Sequence, residues 1–139
     1  MSLYRTHSED ETIELGRNLA AKLPRGVVLL IGNLGAGKTT LAKGIVSGRV
    51  SADTDDISSP TFTLIHEYGH GIYHIDLYRL EEERQVESLG LDEIFERADL
   101  VLIEWGERFP RLMPPARTEI RLRHAGVDER EIEILKRET

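Results

Sequence analysis

Val27-Val-Leu-Leu-Ile31, followed at once by Gly32-Asn-Leu-Gly-Ala-Gly-Lys-Thr-Thr40, decides how this chain folds. Five consecutive apolar residues, three of them β-branched, read as a buried strand. The glycine-rich stretch has the form G-x-x-x-x-G-K-T from Gly32 to Thr39, and the spacing beyond it predicts a helix from Lys38 to about Ser47. A buried strand directly before and a helix directly after are the context a phosphate-binding loop requires. Glycines let the backbone curl so that successive N–H groups point at phosphate oxygens. The helix adds its positive N-terminal end. Asn33, Leu34, Gly35, Ala36, Gly37, Lys38, Thr39 and Thr40 are therefore the expected nucleotide-binding residues. Lys38 supplies a compact cation to the β- and γ-phosphates, and the Thr39 hydroxyl is a hard oxygen ligand for Mg²⁺.

The base is less sharply marked. No Asn or Thr precedes a Lys-x-Asp, and no Asp has Gly three residues later, so the signature of a switch GTPase is absent. ATP is the expected nucleotide.

A phosphate loop that hydrolyses needs a carboxylate near the metal, usually where a hydrophobic strand ends. Two segments offer one: Ile72-Tyr-His-Ile-Asp76 and Leu100-Val-Leu-Ile-Glu104. Glu104 follows the cleaner apolar run and is assigned to the Mg²⁺ shell, through a water. Asp76 is assigned to orienting the attacking water or to a supporting role. Either acid has a plain alternative as a strand-end cap or as a partner of Arg79. Thr61, in Ser59-Pro-Thr-Phe62, is placed to act as a switch residue when its loop orders; a strand start after proline is the simpler reading.

His66-Glu-Tyr-Gly-His70 spells H-E-x-x-H, but that zinc signature works on a helix. Here Gly69 and Gly71 flank His70 among strand formers, so the match is read as straddling a hairpin turn.

Around these motifs, Ser8-Glu-Asp-Glu11 has capping-box form and starts a helix from Glu9 to about Lys22, stopped by Pro24. Gly48 to Ser59 reads as a polar loop, and Thr61–Tyr68 with Ile72–Leu77 as a hairpin. Glu82 to Phe95 is helical in character with a break at Gly90. Thr118–Arg123 and Arg130–Leu135 form a C-terminal hairpin. The 139 residues predict one domain, residues 1–139.

Cysteine is absent, which removes disulfides and thiolate chemistry. No stretch is long and apolar enough for a membrane span, and the N-terminus lacks the pattern of a secretion signal, so a cytoplasmic protein is expected. The net charge of −7, from 25 acidic and 18 basic residues, leaves no evident basic stripe for gripping nucleic acid. Any task near nucleic acid is expected to run through a partner.

GNLGAGKTT, SPTFTL, HIDLYRL, LGLDE and IEW, in this order and spacing, resemble the TsaE (YjeE) family over nearly the whole chain. The resemblance implies an α/β fold of three layers with a mixed parallel and antiparallel central sheet, and a small Mg²⁺-dependent ATPase that supports formation of N6-threonylcarbamoyladenosine next to the anticodon of tRNAs reading codons that begin with A. Its partners would be TsaD- and TsaB-type proteins, which carry the tRNA, and ATP hydrolysis would reset them between turnovers. Carried onto this sequence, the resemblance puts Thr39 and Glu104 on Mg²⁺, makes Asp76 important for hydrolysis, and places Thr61 and Phe62 in a switch-like segment. It points to Glu9 and Arg130 at the base. The Gly44-Ile-Val-Ser-Gly-Arg-Val50 segment departs from the family pattern. Trp105, beside Glu104, reads equally as a core aromatic or as a residue over the nucleotide. A small-molecule kinase and a non-hydrolysing nucleotide sensor are the alternatives; about 100 residues after the loop leave the kinase little room for an acceptor pocket and lid.

Overall fold

The computed structural model describes residues 2–50 and 64–138. Strand β2 (Gly26–Ile31) is its axis. Alternate side chains on a strand point to opposite faces, so Val28 and Leu30 enter one core while Val27 and Leu29 enter another. A strand buried on both sides needs helices on both faces, and the chain supplies them.

Helices α1 (Glu9–Ala20) and α2 (Lys38–Val50) cover the first face. The second is covered by α3 (Glu83–Glu87), α4 (Leu91–Arg97) and two turns of 3₁₀ helix at Gly106–Arg108 and Pro110–Leu112. Between them lies a seven-stranded sheet in the order β1-β7-β6-β2-β5-β4-β3. Here β1 is Ser2–Thr6, β3 Ile65–Glu67, β4 Ile72–Asp76, β5 Leu100–Glu104, β6 Arg117–His124 and β7 Arg130–Arg137. The four inner strands run parallel, while β1, β7 and β3 are antiparallel to their neighbours. The three-layer mixed sheet and the C-terminal hairpin agree with the sequence reading.

Strand β1 is an addition to that reading. Its five residues zip onto β7, with Tyr4 opposite Ile132, and a short edge strand carries too little periodicity to stand out. The Ser8 hydroxyl accepts the Glu11 N–H as expected, but the Glu11 carboxylate reaches the backbone N–H of His7 rather than that of Ser8. The H-E-x-x-H match straddles the β3–β4 turn: His66 lies on β3, His70 in the turn with a φ of 54°.

Helix α2 runs on to Val50, through Gly48, where a loop is expected from propensity. The reason is contact with α1. A Cβ on Gly44 would sit 2.2 Å from the Ile13 carbonyl oxygen, and one on Gly48 would sit 2.8 Å from that of Arg17. From the other helix, a Cβ on Gly16 would meet the Leu41 carbonyl oxygen at 2.6 Å. Absent side chains let the two backbones touch, and that packing overrides the helix penalty of glycine. Arg49 ties the same junction, its guanidinium donating to the Ala20 and Leu23 carbonyls at 2.6 and 2.7 Å. Gly44→Ala is therefore expected to destabilise. Helix propensity would gain about 1 kcal/mol, but overpacking against backbone that cannot swing aside lies at the upper end of roughly 1–3 kcal/mol. The prediction fails if urea unfolding gives the variant a midpoint at or above wild type.

Candidate active site

Parallel β2, β4 and β5 end on the same edge of the sheet, where open α/β sheets bind ligands. In register, Asp76 lies opposite Glu104, and Glu104 opposite Leu30 one residue before β2 ends. The two acids assigned from sequence are thus neighbours on adjacent strands, beside the glycine loop. The loop turns on Gly35 and Gly37, with φ of 80° and 99°, a region open to glycine. It delivers Lys38 and Thr39 to the first turn of α2.

These side chains engage one another. The Thr39 hydroxyl donates to both Glu104 carboxylate oxygens, at 3.1 and 3.0 Å. Lys38 Nζ donates to the Gly32 carbonyl at 2.7 Å and rests 3.4 Å from the centre of the Trp105 ring. The Asp76 carboxylate accepts the Tyr78 backbone N–H at 3.0 Å. All of them border a cavity of about 480 Å³, within the roughly 300–1,000 Å³ of small-molecule sites. Its far wall is built by Glu9 and Thr12 of α1 and by Asp128 and Arg130 of the C-terminal hairpin. The Arg130 guanidinium leans over the loop, 3.5 Å from the Gly35 carbonyl. Leu34, Gly35, Gly37, Lys38, Thr39, Thr40, Asp76, Glu104, Glu9 and Arg130 thus converge on one hollow. Asn33 and Ala36 belong to the loop but border a neighbouring depression along β6, and Thr61 lies outside the described residues.

Residues 6–132 match the family model described as "Threonylcarbamoyl adenosine biosynthesis protein TsaE". The chain belongs to the TsaE family. It is 43% identical over 133 residues to the tRNA threonylcarbamoyladenosine biosynthesis protein TsaE of Bacillus subtilis, covering 93% of this chain and 82% of that one. The protein of the same name from Nostoc is 42% identical over 134 residues, covering 91% and 80%. The fold is similar to the crystal structure of Bacillus subtilis YdiB, with a TM-score of 0.77, 35% identity, and coverage of 99% of this chain and 86% of that one.

Burial shapes the charge of this TsaE-family site. It pushes the Lys38 ammonium below the ordinary lysine range, against the upward pull of Glu107, Glu104 and Asp76. It pushes the Asp76 carboxyl up, opposed first by the Tyr78 N–H. The Glu107 carboxyl is also raised by burial. Among the described residues no group of three His, Cys, Asp or Glu side chains is placed to hold a metal. The Thr39 hydroxyl beside the Glu104 carboxylate is instead a two-oxygen platform. That donor set suits Mg²⁺, which is commonly held by one or two protein oxygens plus phosphate oxygens and water.

Several site residues escaped the sequence reading. His74, within the H-x-D pattern, donates to Glu104 at 2.7 Å. Arg108 braces the wall by donating to the carbonyls of Leu77 and Leu80 at 2.8 and 3.1 Å and to that of Tyr78. The signals were weak: arginine in a connector and histidine inside a strand have many uses. Trp105 bears out its reading as a core aromatic and also faces the cavity. It packs against the second core and lines the cavity, in a left-handed conformation with φ of 68° that is unusual for a bulky residue.

Trp105 is the sole tryptophan, so its emission reports Lys38 directly. Saturating nucleotide is expected to draw the ammonium off the ring and change the fluorescence intensity. Lys38→Met should shift the emission already without nucleotide; a resting emission equal to wild type would dissociate the ring from the lysine.

Proposed function

We propose that this protein is the ATP-binding, slowly hydrolysing subunit of an assembly that forms N6-threonylcarbamoyladenosine on tRNA, acting in the cytoplasm. The observation that carries the reading is the convergence of Lys38, the Thr39–Glu104 pair and Asp76 at the carboxyl ends of β2, β5 and β4. The names of the relatives supply the pathway.

Lys38 exchanges the Gly32 carbonyl and the Trp105 ring for phosphate oxygens. The loop from Asn33 to Thr40 and the start of α2 turn their amides toward the triphosphate. Thr39 and Glu104 hold Mg²⁺, which when bound neutralises charge on the β- and γ-phosphates. Asp76 orients water toward the γ-phosphate, and Thr61 acts as the switch. Glu9 and Arg130 face the base and sugar. Turnover by the protein alone is slow, because Arg108 is committed to backbone carbonyls and the Arg130 guanidinium is held against the loop backbone by the Glu129 and Gly35 carbonyls. TsaD- and TsaB-type partners carry the tRNA, as the acidic charge of this chain requires, and hydrolysis resets them.

Phosphate release tests the proposal. Release should be slow with the protein alone and rise when TsaD- and TsaB-type partners are added, and tRNA should not shift with this protein alone at moderate salt. Transfer of the γ-phosphate to a small acceptor would mark a kinase instead. Silence with and without partners would mark a sensor.

A further inference from the structure

The Glu104 carboxylate ends β5 almost fully buried and is gripped from two sides. Thr39 donates from α2, and His74 Nε2 lies 2.7 Å from Oε2. The imidazole is fully buried. Its place follows from register: His74 pairs with Leu102 as Asp76 pairs with Glu104, so all four side chains leave the same face of the sheet. His74 sits one step deeper in the core than the carboxylate, behind it as seen from the cavity. The other ring nitrogen, Nδ1, is buried without a hydrogen-bond partner among the described residues. Orphaned polar atoms are costly in a core, and Ile72, two residues back on the same face of β4, and Leu102, opposite His74 on β5, show that aliphatic side chains pack there. Volume therefore does not account for an imidazole at this position. The Nε2–H that meets the carboxylate does.

We infer that His74 is a positioning residue, fixing the Glu104 carboxylate in the orientation that the Mg²⁺–nucleotide complex requires. The inference rests on Glu104 belonging to that site. A hydroxyl that gives a cation its lone pair keeps its proton, so Thr39 can still donate to Glu104 when it ligates a metal. His74 and Thr39 then hold the carboxylate from opposite sides. Carboxylate ligands are commonly fixed by such outer hydrogen bonds, whose loss costs about 10–100-fold in metal affinity or activity.

The test is the affinity of a fluorescent ATP analogue, measured in EDTA and across a Mg²⁺ titration, for wild type, Glu104→Gln, His74→Leu and His74→Gln. His74→Leu should raise the Mg²⁺ needed for half-maximal tightening by about 10–100-fold while leaving the affinity in EDTA at the wild-type value. His74→Gln should restore most of the Mg²⁺ response, because its terminal amide can donate from near the Nε2 position. A parallel loss with and without Mg²⁺ would make His74 merely structural and overturn the inference. So would an unchanged Mg²⁺ response in His74→Leu when Glu104→Gln alters it. If Glu104→Gln itself leaves the response unchanged, the site reading falls first and takes the inference with it. Should the leucine variant not fold, ¹⁵N-histidine spectra of wild type decide the matter, with His74→Gln assigning the resonance. A proton on Nε2, and a signal that moves when Mg²⁺ joins the bound nucleotide, are expected; a proton on Nδ1 or an unmoved signal overturns it.

Discussion

Replacing Lys38 with alanine is expected to abolish measurable ATP binding while leaving the fold intact. The ammonium is buried at the mouth of β2, and the groups it touches, the Gly32 carbonyl and the Trp105 ring, carry no full charge. Phosphate oxygens are far better partners. Two charge-assisted hydrogen bonds to them are together worth about 3–6 kcal/mol, so the dissociation constant should rise by at least about 100-fold. The free protein should not suffer. Burial holds the Lys38 ammonium below its ordinary range: the fold disfavours its charged form, a cost present at neutral pH and relieved as pH rises through the lowered value. Removing the group should leave the melting temperature unchanged or higher. The same shift makes ATP affinity in wild type fall as pH climbs through that lowered value, where the cation is lost. Calorimetric titration checks both; wild-type affinity in Lys38→Ala would end the phosphate-loop assignment.

Asp76→Asn is expected to separate hydrolysis from binding and from stability. Asparagine keeps an oxygen for the Tyr78 N–H, so local structure should persist. It loses the charge proposed to orient water and accept a proton, a change expected to cost about 10²–10⁴-fold in rate. Nucleotide affinity should stay near wild type. Stability should rise at neutral pH, because burial raises the Asp76 carboxyl above the usual carboxylate range. A carboxyl raised by folding costs stability when ionised, and that cost disappears as pH falls through the raised value toward the unfolded one. The melting-temperature gap between variant and wild type should therefore narrow on acidification. Loss of affinity in step with loss of hydrolysis would make Asp76 a structural residue.

The site was legible where chemistry dictates residue type at fixed spacing. The glycine loop, its lysine and threonine, and the acids ending two apolar strands could be read from Gly32 to Thr40, Asp76 and Glu104, because a strand end is where a side chain can be both anchored and exposed. The burial of the inner strands followed from the continuous apolar runs at Val27–Ile31 and Leu100–Ile103. What stayed hidden depends on contacts distant in sequence. Gly48 reads as the end of α2 until α1 lies against it, and only that contact gives Gly44 a role. Glu9 and Arg130 share a wall only because β7 returns to the far side of the loop. His74 gains its meaning from strand register, which no local pattern sets.

The glycine contact between α1 and α2 carries one more consequence. Glu9 opens the first helix and Lys38 the second, so the two parts of the cavity proposed to take the base and the phosphates are mounted on two rods clamped backbone to backbone. Such a clamp should exchange its amide hydrogens as one slow cooperative block. Adaptation to a new nucleobase can then proceed by trading side chains on the outer rod, with the grip on the triphosphate undisturbed.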